Sequence, residues 1–177
     1  MATMHPILEQ LERELNPALE GLDAAETQLH PAARPDKWSI QQIVDHLILT
    51  YGLTQHALAT RIAKGRPTEA RATIAQRARQ LVLITAGIFP KGRPAPPAVL
   101  PTSTEPLAGH ELIQAVHQNL TGVDSLSNQA EVIFGSRRAV SHQILGPLSV
   151  HQWRRFHLVH ARHHIKQILT IRRDHSV

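Results

Sequence analysis

Apolar residues return at steps of three and four in four separate stretches of the chain. In residues 5–29, Ile7, Leu8, Leu11, Leu15, Leu19 and Leu22 share one side of an amphipathic helix. Asn16-Pro17 interrupts or bends it, because proline removes a backbone donor, and the breaker HPAARPDK follows. A second helix opens at Ser39. Gln42 stands three residues on to complete a capping box, and Trp38 is placed to staple onto Ile43. It runs toward Lys64 and stops near Gly65-Arg66-Pro67.

A third helix is predicted over residues 107–134, with Leu112, Val116, Leu120 and Val123 inward. The turn-rich GSRRAVSHQILGPL, with Gly146-Pro147 read as a turn, leads to a fourth. That helix repeats the opening of the second: Ser149 caps, Gln152 closes the box, Leu148 staples onto Trp153, and the pattern continues through Arg172.

Residues 66–106 are less regular. ATIAQRARQLVLITAGIF is able to form a helix, whereas PKGRPAPPAVLPTSTEP cannot stay in one. The region reads as a long crossover with one embedded helix. Short connections make helices 1 and 2 antiparallel, and likewise 3 and 4, while the long one lets helix 3 run parallel to helix 2. The expected fold is all-α: one domain over residues 1–177, a four-helix up-down-down-up bundle in which helices 2 and 4 are antiparallel.

Composition agrees. The chain of 177 residues is 42% hydrophobic but only 3% aromatic, so Leu, Ile, Val and Ala must build the core, a composition that favours helices. No apolar run reaches the ~18 residues of a membrane span, and no signal-peptide pattern opens the chain. The absence of cysteine excludes disulfides, thiolate ligands and a cysteine nucleophile, and fits a cytoplasmic protein. A net charge of +5 and a pI near 10.4 raise nucleic acid as a partner, with Arg154, Arg155, Arg162, Arg172 and Arg173 on or near helix 4. Nucleic acid is not the expected partner. GxSxG, P-loop, GxGxxG and HExxH motifs are all missing, which removes support for serine-hydrolase, nucleotide-binding and zincin chemistry.

The chemistry lies in the thirteen histidines. His157, His160 and His164 fall on one face of helix 4, and His160 and His164 are four apart, the spacing at which two imidazoles share an ion. His46, among the aliphatic residues of VDHL, is the candidate third ligand. It lies ~10 Å along its helix, and His160 and His164 lie ~16 to 23 Å along theirs, at 1.5 Å per residue. Only antiparallel helices bring His46 and His164 to one level, as the loop lengths require. Taken alone, His46 also reads as a hydrogen-bonded core histidine, and HxxxH also arises on histidine-rich surfaces. His157 and His163 read as supporting or partly exposed groups able to relay protons. Trp38 and Trp153 read as staples and core, and Gln167 either orients a ligand or is simply exposed. Asp45 adjoins His46 but points about 100° away from it on a regular helix.

WSIQQIVDHL resembles the helix-2 signature of the DinB-like/YfiT-like superfamily of metal-dependent proteins, and LGPLSVHQWRRFHLVHARHHIKQI resembles its last helix. The resemblance implies a four-helix bundle, often a homodimer, in which His46, His160 and His164 bind a divalent metal such as nickel or zinc. It further implies a thiol S-transferase or hydrolase acting on a small electrophilic molecule, the ion activating a water or thiol. Without cysteine, any thiolate must come from a free low-molecular-weight thiol cosubstrate. Where relatives often carry glutamate near the helix-2 histidine, this chain has Gln41 and Gln42, so no general base is assigned. The alternatives are a non-catalytic metal-binding module and a basic nucleic-acid-binding protein.

Overall fold

The computed structural model describes residues 3–89 and 94–177, so Pro90 to Arg93 of the proline-rich crossover lie outside the described residues. The fold is mostly helical with a small two-stranded sheet. Helix α1 (Pro6–Leu19) buries Leu8, Leu11, Leu15 and Leu19 and holds Pro17 in its last turn without breaking. It ends ten residues short of the expected 5–29 span. The reason is local: Glu20 is extended, Gly21 takes a left-handed φ of 80°, and Asp23 Oδ1 accepts the N–H groups of Ala25 and Glu26 to start a short 3₁₀ turn, Glu26–Gln28. Leu22 is buried all the same.

Helix α2 (Ile40–Ala63) and the last helix, α5 (Val150–His175), both carry their capping boxes in full. Ser39 Oγ accepts from Gln42 N–H at 3.2 Å and Gln42 Oε1 from Ser39 N–H at 3.0 Å; Ser149 and Gln152 do the same at 3.3 and 3.0 Å. These caps fix where each helix begins, and therefore the height of every side chain along it. Helix α4 (Gly109–Phe134) turns Leu112, Val116, Leu120 and Val123 inward. Its first residue must be glycine, because a Cβ there would stand 2.0 Å from the Leu19 carbonyl oxygen.

The crossover contains helix α3 (Ile74–Gln80), which continues as one π turn, Leu81–Thr85, and a 3₁₀ turn, Pro97–Val99. The segment read as turn-rich is an antiparallel hairpin of β1 (Arg138–His142) and β2 (Gly146–Ser149), a small sheet added to a fold that otherwise fits the all-α expectation. His142 Nδ1 closes its turn by accepting from the N–H groups of Ile144 and Leu145. The Gln80 side-chain amide donates to the Leu145 carbonyl at 2.7 Å, tying hairpin to crossover.

Packing pairs α2 with α4 and α1 with α5. One apolar cluster, which includes Leu11, Leu47, Val116 and Ile168, fills the space among these four helices. A second gathers Leu58, Phe134, Val140, Leu148, Trp153 and Phe156 around the hairpin.

Candidate metal centre

His46 projects from α2, and His160 and His164 from successive turns of α5. All three are buried, at 5%, 5% and 6% exposure, so little water reaches them. Their Nε2 atoms converge. His46 Nε2 lies 3.1 Å from His160 Nε2, and His164 Nε2 lies 3.0 Å from the same atom. The capped helices thus deliver to one point residues from α2 and α5, His46 and His160 being 114 positions apart in the sequence.

Two of the rings are oriented from behind. His46 Nδ1 stands 2.9 Å from the Val99 carbonyl. A carbonyl only accepts, so the proton is on Nδ1 and the Nε2 lone pair faces the cluster. His164 Nδ1 stands 2.7 Å from Gln167 Oε1, with the same consequence. His160 has no hydrogen-bond partner at Nδ1; its ring lies between the near-parallel rings of Phe89, at 5.0 Å, and Phe156, at 5.4 Å. Trp38 completes the surround at 4.9 Å from the His46 ring and 6.5 Å from that of His164.

Burial holds all three imidazoles neutral. Desolvation lowers His46, and it lowers His160 well below its ordinary value with help from the neighbouring histidines. His164 falls to about 3, first from burial and then from His46. The inward lone pairs of His46 and His164 suit a cation, or a proton carried by His160 Nε2. A tetrahedral ion with bonds of 2.0–2.1 Å sets its ligand nitrogens ~3.3 Å apart, within a few tenths of an ångström of the two separations seen. The donor set fits: the three histidines could hold a metal ion, and among the described residues their cluster contains no fourth His, Asp or Glu.

The remaining candidates divide. His157 is fully buried rather than partly exposed; neither ring nitrogen has a partner, and its ring meets Tyr51 edge-on at 5.1 Å. His163 is half-buried and stacks on Phe89 at 4.8 Å. Gln167 is at once exposed and the group that orients His164. Asp45 stays outside the cluster, in a cleft of about 150 Å³ with Ile48, Leu49, Thr102 and Ser103, where burial pushes its carboxyl up to about 6. Trp38 is more than a staple, since it also lies against two of the three rings. Val99 and Phe89 were not anticipated: one acts through its backbone, and the other is a lone aromatic in an irregular segment. Phe156 was readable, standing one turn before His160.

A sequence model of the DinB superfamily matches residues 7–168, from the second residue of α1 to one turn beyond His164. No curated protein and no solved structure matches.

Proposed function

The chain belongs to the DinB superfamily, and on that premise we propose that it is a metal-dependent enzyme of thiol S-transferase or hydrolase type acting on a small electrophile. The observation that carries this reading is the convergence of three buried imidazole Nε2 atoms on one point. Zinc or nickel would be held by His46, His160 and His164, and when bound supplies the Lewis acidity that brings a water or thiol toward its anion near neutral pH. The Val99 carbonyl and Gln167 hold the ligand rings in the coordinating tautomer. Trp38, Phe89 and Phe156 exclude water around them. A thiol substrate must be a free low-molecular-weight cosubstrate, because the chain has no cysteine.

Three protein ligands is the donor number of catalytic rather than structural zinc sites, which supports an enzyme. The low exposure of the three rings is what favours the alternative, a non-catalytic metal-binding module. Nucleic acid draws little support from the arginines. Arg154 is buried against Glu131, Arg162 pairs with Glu14, Arg155 donates to the Ile84 carbonyl, and Arg172 donates to carbonyls of Ala18 and Glu20. The pairing of α2 with α4 and α1 with α5 supports the up-down-down-up bundle as a single domain, and the family likeness supports a second copy of the chain as a partner.

Protein purified with zinc or nickel is expected to hold about one ion per chain. His160→Leu should lose it while keeping its far-ultraviolet circular dichroism and thermal midpoint, since leucine suits the apolar surround. Thiol consumption, or hydrolysis, with a small electrophile should stop on chelation and return with metal. Unchanged metal content in His160→Leu overturns the ligand assignment. Bound metal with no turnover of electrophiles by thiol or water overturns the enzyme and leaves the binding module.

A further inference from the structure

The chain has six aromatic residues, and three of them, Trp38, Phe89 and Phe156, touch the ligand rings. So sharp a concentration in an aromatic-poor chain is not needed for core packing, which aliphatic side chains supply elsewhere. The three differ in exposure. Phe156 is buried at 5% and belongs to the second apolar cluster. Trp38 and Phe89 are half-buried, each keeping part of its surface open to solvent. They border different edges of the centre: Trp38 touches His46 and His164, while Phe89 touches His160 and His163.

The same surroundings are free of charge. Among the described residues, the only side-chain charges that act on His46, His160 and His164 are those of other histidines. Their hydrogen-bond partners are a carbonyl, an amide and one another. Sites that select carboxylates or phosphates place an arginine fork beside the ligand, and none stands there among the described residues. What the borders offer is flat, polarisable apolar surface, which favours stacked or edge-on π contact.

We propose that Trp38 and Phe89 are the specificity-determining walls of this centre and select a planar, aromatic or conjugated electrophile. The inference rests on the metal-centre reading above. The simpler role, shielding the histidines from water, is served equally by any apolar side chain of similar bulk, and this separates the two experimentally.

The test uses the full chain loaded with zinc and titrated calorimetrically with two neutral probes of similar size, nitrobenzene and nitrocyclohexane. Nitrobenzene is expected to bind about tenfold more tightly. Trp38→Leu and Phe89→Leu keep apolar bulk and should retain zinc, yet each should cut that preference to about threefold or less. Equal affinity for the two probes, no binding of either, or an undiminished preference in both leucine variants overturns the proposal while the metal centre stands. A wild-type chain that holds no zinc overturns the metal reading and this proposal with it.

Discussion

Helix α5 carries two buried polar clusters less than two turns apart, and they are built on opposite principles. Arg154, 1% exposed, sends one guanidinium nitrogen to Glu131 and another to Asn128, both at 2.7 Å, and Asn128 in turn donates to Asp124. A buried cation is met there by an opposite charge and an amide oxygen. Six residues further on, His160 faces two groups of its own kind. Its neighbours turn their protons outward, to Val99 and Gln167, and their lone pairs inward. The first arrangement sets charge against counter-charge within the protein, and leaves Arg154 Nε and Asp124 Oδ1 without partners. The second sets three imidazole nitrogens around one point, the geometry that suits a shared cation.

Acid should separate the two most strongly. His164 and His157 are lowered to about 3 and His142 to about 4, each chiefly by burial. In the unfolded chain they return to about 6.5. The unfolded state therefore takes up protons that the native state refuses. The stability is fully present above pH 6.5 and is lost as pH falls from there toward about 3 or 4. Between pH 7 and pH 5 the three together cost on the order of 5 kcal/mol, to be read by urea denaturation of the chelated protein. A flat profile would mean that the histidines are already solvated.

Next in size is Glu131→Ala, which leaves a buried guanidinium nitrogen without its acceptor. A loss of about 2 kcal/mol in denaturant stability is expected, with metal content unchanged. If metal were lost as well, the two clusters would be one energetic unit. The smallest effect belongs to Gln167→Ala. Gln167 is exposed, so the melting temperature should not move, but His164 is no longer held in its tautomer. Metal affinity should fall about tenfold in a chelator competition. Unchanged affinity would make Gln167 a bystander.

The sequence displayed the parts of the centre that depend on helix starts and helix period. Ser39 with Gln42 and Ser149 with Gln152 set the origins of α2 and α5, and counting from them brings His46 level with His164. It concealed whatever depends on backbone or on tertiary contact. No side-chain pattern announces a carbonyl, so Val99 was silent. Phe89 sits in a stretch with no period to place it. The β1–β2 hairpin was obscured by Pro147, which lacks an N–H and argues against a strand. Helix α1 was overextended because Leu22 keeps the helical spacing and the buried environment although Gly21 has already turned the chain.

The bond from His46 to Val99 has a wider consequence. A candidate ligand on α2 takes its tautomer from a peptide group 53 residues away, in the crossover rather than in the helices. Occupancy of the centre and seating of that strap are therefore two views of one equilibrium, each favouring the other by the same free energy. Changes in the strap, which is the least regular part of the chain, become a dial on affinity that evolution can turn without touching a single imidazole.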